Sequence, residues 1–158
     1  MKDYLKNLDI NIDKKRLLQQ ALEIDDYHTF EDPLTGNKIS NWQIKKINDG
    51  YGWEITEKIK HKFNLRDCRP RFYMQEAHSI IPFHKDRGTM CSINVLLSDG
   101  LAPITFRDVK LYYNTALLNT QQEHAVYNEA HDRILYKISI FDKSYQDMYD
   151  ILPYKVSI

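Results

Sequence analysis

Cysteine, glycine and proline are all scarce, at 2, 5 and 5 residues of 158. Two thiols, Cys68 and Cys91, cannot brace a disulfide scaffold. Neither sits in a C-x-x-C pair of the kind that holds zinc or runs redox exchange, so both are expected reduced in a reducing compartment. The low Gly and Pro content excludes a collagen-like or low-complexity chain, and 42% hydrophobic residues exclude a disordered one. No apolar run approaches the roughly 18 residues that cross a bilayer, and Met1-Lys2-Asp3-Tyr4 leads into no signal-peptide core. The chain therefore reads as a soluble, cytoplasmic protein. Excess charge of one sign is missing as well, because 22 basic and 22 acidic side chains cancel. Without a broad positive field, neither nucleic acid nor a membrane is an expected partner.

The length supports one domain, 1–158, large enough to bury roughly 68–70% of its unfolded surface. No internal repeat and no Pro/Gly/Ser-rich linker divides it. The hydrophobic period does change along it. Leu17, Leu18, Ala21 and Leu22 fall at helical spacing, as do Ile55, Ile59 and Phe63, so residues 1–70 read as a mixed, mainly helical support. Asp32-Pro33-Leu34-Thr35-Gly36-Asn37 reads as a loop. From Arg71 the pattern shortens to strand-length runs: Arg71–Met74, Ile80–His84, Met90–Leu97, Ile104–Phe106, Val109–Tyr113, Ala116–Asn119, His124–Tyr127 and Arg133–Phe141. Turns such as Ser98-Asp99-Gly100 separate them, and 11 tyrosines suit half-buried sheet positions. The expected fold is α+β but mainly β: an antiparallel jelly roll over 71–142 with the N-terminal helices packed on one face. Residues 143–158 form a closing segment, a short helix or irregular packing.

The residues that carry chemistry are His84-Lys85-Asp86, His124 and Arg133. In a strand, positions i and i+2 share a face, so His84 and Asp86 offer an imidazole nitrogen and a carboxylate oxygen to one point. A lone H-x-D arises about one time in two from this composition, so context has to decide. The context is a hairpin from His124 to Arg133, which brings a third ligand and a cation together. Two imidazoles and one carboxylate on one face of an octahedron leave three positions open, as in non-haem Fe(II) oxygenases.

At this point the sequence resembles the 2-oxoglutarate- and Fe(II)-dependent oxygenases, whose double-stranded β-helix carries H-x-D, a distal His and then an Arg or Lys. His124-Ala125-Val126, Arg133 nine residues after that His, and the closing Phe141-Asp142 are similar to prolyl-hydroxylase-like members. The resemblance covers residues 71–142. It implies His84, Asp86 and His124 as iron ligands and Arg133 as the grip on the far carboxylate of 2-oxoglutarate. It also implies dioxygen as co-reactant and ascorbate as a support of activity. Arginine's planar fork suits a carboxylate better than lysine's point charge. One departure is that only 37 residues lie between Asp86 and His124, which implies a pared-down core.

Strand alternation over Met90–Leu97 puts Cys91, Ile93, Val95 and Leu97 on one face and Ser92, Asn94 and Leu96 on the other. A buried polar side chain needs a partner, so Asn94 and, less directly, Ser92 are expected to contact the cosubstrate. Tyr73 resembles by position the tyrosines that line such pockets. His131 is the rival third ligand but falls in a turn, while His78 reads as a loop histidine near the pocket mouth. Lys58, Lys60, Lys62, Arg66, Arg69 and Arg71 read as a solvated face, with Arg69 and Arg71 the exceptions that approach the first core strand and could orient a substrate carboxylate. Trp42, Trp53 and Tyr51 read as helix packing rather than pocket cover. Cys91 is a small buried residue.

The expected function is hydroxylation of an unactivated C–H bond in a prolyl residue or a small amino-acid-like molecule. Two alternatives are a cupin-like metal enzyme without 2-oxoglutarate, against which Arg133 argues, and a noncatalytic jelly-roll binding module, against which the intact triad argues. Substrate identity and oligomeric state are not legible in the sequence. Frequent Lys, Asn, Ile and Tyr suggest an AT-rich coding source such as a phage.

Overall fold

A computed structural model describes residues 3–32, 35–99 and 102–158. Pro33 and Leu34 of the expected loop and Gly100 of the expected turn lie outside the described residues. The chain opens with two short strands, β1 (Leu5–Asn7) and β2 (Asp9–Ile10), and helix α1 (Lys14–Glu23). Asp13 caps α1 by accepting from the Arg16 amide at 3.2 Å. A hairpin of β3 (His28–Glu31) and β4 (Lys38–Lys46) follows, then α2 (Gly50–Lys62), whose last turn carries Lys60, His61 and Lys62 against the negative end of the helix dipole.

The remaining strands are β5 (Cys68–Gln75), β6 (Ile80–His84), β7 (Cys91–Leu96), β8 (Ile104–Phe106), β9 (Lys110–Leu111), β10 (Thr115–Leu118), β11 (His124–Tyr127) and β12 (Arg133–Ile140). Helix α3 (Tyr145–Ile151) and β13 (Lys155–Val156) close the chain, with β13 parallel to β2. A large antiparallel sheet has the order β1-β10-β7-β12-β5-β4-β3, and a smaller one β6-β11-β8-β9. The two sheets form a double-stranded β-helix, with helices on one side of the large sheet. No helix among the described residues is long and apolar enough to cross a membrane.

Alternation gives the large sheet two unlike faces. Toward the helices it presents Phe72, Ile93, Val95, Leu117, Tyr136, Ile138 and Ile140, which pack with Leu17, Ala21, Ile55 and Ile59 into the main core. Gly52 of α2 allows the close approach. A Cβ there would lie 3.3 Å from Ile47 side-chain carbons, and its carbonyl accepts from the Tyr136 hydroxyl at 2.7 Å. Toward the small sheet lie two lesser clusters, one around Trp42, Tyr73 and Leu135 and one around Leu5, Phe106 and Tyr113.

Several expectations need correction. The first 70 residues contain more sheet than expected, since β4 runs nine residues and joins the large sheet beside β5. Its alternation is broken by a bulge within β4 itself, where consecutive Thr29 and Phe30 of β3 pair with Gln43 and Ile39. The expected strand Val109–Tyr113 shortens to Lys110–Leu111, because β9 is a two-residue edge. The first core strand begins at Cys68 rather than Arg71.

Candidate metal centre

His84 ends β6 and His124 opens β11, and the two are direct partners in the antiparallel register, with ring centroids 4.4 Å apart. Asp86 lies two residues beyond His84 in the loop, where its backbone amide donates to the Thr120 carbonyl at 3.1 Å. Its Oδ1 stands 3.2 Å from His84 Nε2 and 3.3 Å from His124 Nε2. The three donor atoms lie within 4.8 Å of one another. Each imidazole is oriented from behind: Nδ1 of His84 bonds the Pro82 carbonyl and Nδ1 of His124 the Gln122 carbonyl, both at 2.7 Å. A carbonyl only accepts, so each Nδ1 carries the proton and each Nε2 presents a lone pair to the shared point.

The second oxygen of Asp86 is bonded by the ammonium of Lys137, on the inner face of β12. Burial alone would raise the Asp86 carboxyl, but the Lys137 charge holds it well below the usual carboxylate range. Burial would likewise lower Lys137, and the charge of Asp86 keeps it above its ordinary value. The pair is therefore ionised, with Oδ1 left to a metal.

Deeper in the same cavity, Arg133 is buried and its Nη2 donates to the Tyr113 hydroxyl at 2.8 Å. That hydroxyl also accepts from Asn94 Nδ2 at 3.1 Å, and Asn94 Oδ1 accepts from Ser92 Oγ at 2.8 Å. With two bonds accepted, the Tyr113 oxygen has its own proton to give to a ligand. Arg133 Nε is buried without a partner. Asn94, Ser92 and Tyr73 all line the cavity, as do Trp42 and Lys137. Asn94 also bonds Tyr113 there, while Tyr73 stacks on Trp42 with centroids 5.3 Å apart.

Trp42 corrects the expectation of helix packing. It stands on a strand, lines the cavity and tilts against His84 at 5.8 Å. Tyr51 does pack on α1, accepting from the Asp13 amide at 2.9 Å, and Trp53 is exposed. His131 is exposed in the turn and is not in the cluster; His78 is exposed, in a left-handed conformation with φ 59. Lys58, Lys62, Arg66 and Arg69 are exposed, as expected of a solvated face. Cys91 is fully buried, and burial pushes its thiol up to about 12. Sequence reasoning missed Tyr113 and did not pair Lys137 with Asp86. A signal existed for Lys137, a charge in the apolar run Arg133–Ile140 at an even offset from Arg133.

No protein-family model matches the chain, and no curated protein matches it by sequence. Solved structures do. A prolyl-4-hydroxylase from Pseudomonas putida superposes with TM-score 0.64 at 14% identity, covering 87% of this chain and 91% of that one. A prolyl hydroxylase from Trichoplax adhaerens, in complex with a hypoxia inducible factor peptide fragment, gives 0.68 at 11%, covering 91% and 85%. The viral collagen prolyl hydroxylase of Paramecium Bursaria Chlorella virus-1, as a 2OG complex, gives 0.57 at 13%, covering 87% and 94%. The class these define for this chain is the double-stranded β-helix fold.

Proposed function

We propose that the protein is a 2-oxoglutarate- and Fe(II)-dependent dioxygenase that hydroxylates an unactivated C–H bond of a prolyl residue or a small amino-acid-like molecule. The observation that carries this reading is the meeting of three single-atom donors, His84 Nε2, His124 Nε2 and Asp86 Oδ1, in a cavity that also holds a buried, incompletely bonded arginine. The donor set fits a ferrous ion, because both imidazoles present a lone pair and the carboxylate is ionised. Arg133 and Tyr113 fit the distal carboxylate, since a buried Nε without a partner and a phenol with a free proton are both donors in search of an acceptor. Bound there, iron and the keto acid would supply the oxidising power to put one atom of dioxygen into a C–H bond, with succinate and carbon dioxide released.

The chain's own residues do the rest. Lys137 fixes the second oxygen of Asp86, so that the aspartate offers one atom and leaves room for a chelating acid and dioxygen. Ser92 and Asn94 set the Tyr113 hydroxyl, and Trp42, Tyr73 and Ile81 wall the cavity with apolar surface. The similar prolyl hydroxylases support the reading, one of them having been solved with 2OG.

The test is succinate release with Fe(II), 2-oxoglutarate and ascorbate, which the cupin-like and binding-module alternatives do not produce. In Arg133→Ala the 2-oxoglutarate requirement should rise about 10- to 100-fold, the worth of a charge-assisted hydrogen bond. Mn(II) affinity should stay at the wild-type value. An unchanged 2-oxoglutarate dependence would move the grip to Lys137.

A further inference from the structure

Strands β1, β4, β5, β7, β10 and β12 contain no acidic residue at all. The inner face of β5 and β12 nevertheless carries four cations, Arg69, Arg71, Lys137 and Arg133. Arg71 belongs to that face by alternation with Tyr73, which lines the cavity, and with Gln75, whose side chain bonds the Val126 carbonyl of the small sheet. Lys137 has Asp86 as counter-ion, and Arg133 is accounted for by the cosubstrate's far carboxylate. Arg71 has neither. It is half-buried, forms no ion pair among the described residues, and its Nε is enclosed without a hydrogen-bond partner. In the register it stands directly opposite Lys137 on one side and Lys46 on the other. Like charges facing across strands destabilise a sheet unless an anion sits between or beside them. Arg69, two residues away, has no such need, since it pairs with Asp67 at 3.2 Å and lies over the Phe141 ring.

We infer that Arg71 receives a free carboxylate of the primary substrate, so that the substrate is a small carboxylic acid or a chain end rather than an internal peptide segment. The inference rests on the oxygenase reading and narrows it. Cβ atoms of directly opposed residues lie about 5 Å apart, so Arg71 leaves the sheet beside Lys137, whose ammonium bonds Asp86, next to the residues that line the cavity. The guanidinium fork binds a carboxylate through two parallel hydrogen bonds and satisfies the enclosed Nε at once. An amide in the same place offers one weaker acceptor and no charge.

The experiment measures binding by calorimetry to the full chain loaded with Mn(II) and N-oxalylglycine. The probes are the free amino acids and short carboxylic acids, each beside its primary amide. At least one acid should bind, with its amide about tenfold weaker or worse, and Arg71→Gln should lose the acid by about tenfold or more. N-oxalylglycine affinity should be unchanged in that variant. Should Arg71→Gln fail to fold, Arg71→Lys decides: weaker acid binding with unchanged N-oxalylglycine affinity supports the assignment, and equal acid binding overturns it. Amides or end-blocked peptides that bind as well as acids, an Arg71→Gln variant that keeps acid binding, or a panel with no acid bound also overturn it. Failure of the oxygenase reading shows separately, as Mn(II)-loaded wild type that does not bind N-oxalylglycine.

Discussion

Along β12, Tyr136, Ile138 and Ile140 face the helices and are fully excluded from solvent, whereas Arg133, Leu135, Lys137 and Ser139 face the small sheet. The same division runs through β7, where Cys91, Ile93 and Val95 belong to the helix side and Ser92, Asn94 and Leu96 to the cavity side. On the helix side the polar atom of Tyr136 is fully used, by Gly52 and Thr56. On the cavity side, donors of Arg133 and Arg71 are enclosed without partners. Burying such groups is costly, and a fold tolerates it only where stability comes from elsewhere. One face of each strand holds the protein together, and the other is left free to hold charge.

The largest expected effect is Asp86→Ala. It should abolish Mn(II) binding and also leave Lys137 buried without its counter-charge, a loss of about 3–5 kcal/mol in chemical denaturation. Adding Lys137→Met should return most of that stability without returning the metal. His84→Ala should remove metal binding while leaving the denaturation midpoint near wild type, because its ring, though it lies against His124 and Trp42, is still 28% exposed. An Asp86→Ala variant as stable as wild type would contradict the ion pair. On the opposite face, Ile138→Ala should cost about 2–5 kcal/mol through the cavity it leaves, with the Mn(II) affinity of the folded protein within about twofold of wild type. A metal affinity that fell with Ile138 would show that the two faces are coupled.

The difference between the faces also explains what could be read from the sequence. Alternation in Met90–Leu97 separates the two faces correctly, because every second residue there is apolar and buried toward the helices. The H-x-D pair and His124 are brought together because β6 and β11, far apart in sequence, are register partners; the expected hairpin from His124 to Arg133 does not form, since β11 lies in the small sheet and β12 in the large one. Tyr113 could not be found the same way. It lies in the connection between β9 and β10, and nothing local distinguishes it from ten other tyrosines until Arg133 and Asn94 close on it in three dimensions. Trp42 was hidden by the bulge within β4, which breaks the two-residue period that would have marked a strand.

The smallest expected effect sharpens the comparison through pH. A carboxyl depressed on folding, such as Asp86, stabilises above its unfolded pKa of about 3.9 and loses that contribution as pH falls through its lower folded value. A raised lysine such as Lys137 contributes fully below about 10.4 and loses it as pH rises through its higher folded value. Between those limits the pair gives a constant contribution, so wild type gains no slope from it. In Lys137→Met the ammonium is gone, and burial, the largest influence on Asp86, pushes its carboxyl up from its wild-type position. Relative to wild type, a carboxyl so raised destabilises near neutral pH and does so less as it protonates. In melts with EDTA from about pH 8 to 4, the gap between wild type and Lys137→Met should therefore narrow toward acid. The gap to Ile138→Ala should stay constant, because no titrating group is lost with it. Two gaps that run parallel would mean that Lys137 does not govern Asp86, and that the cavity face is held by packing in the same way as the helix face.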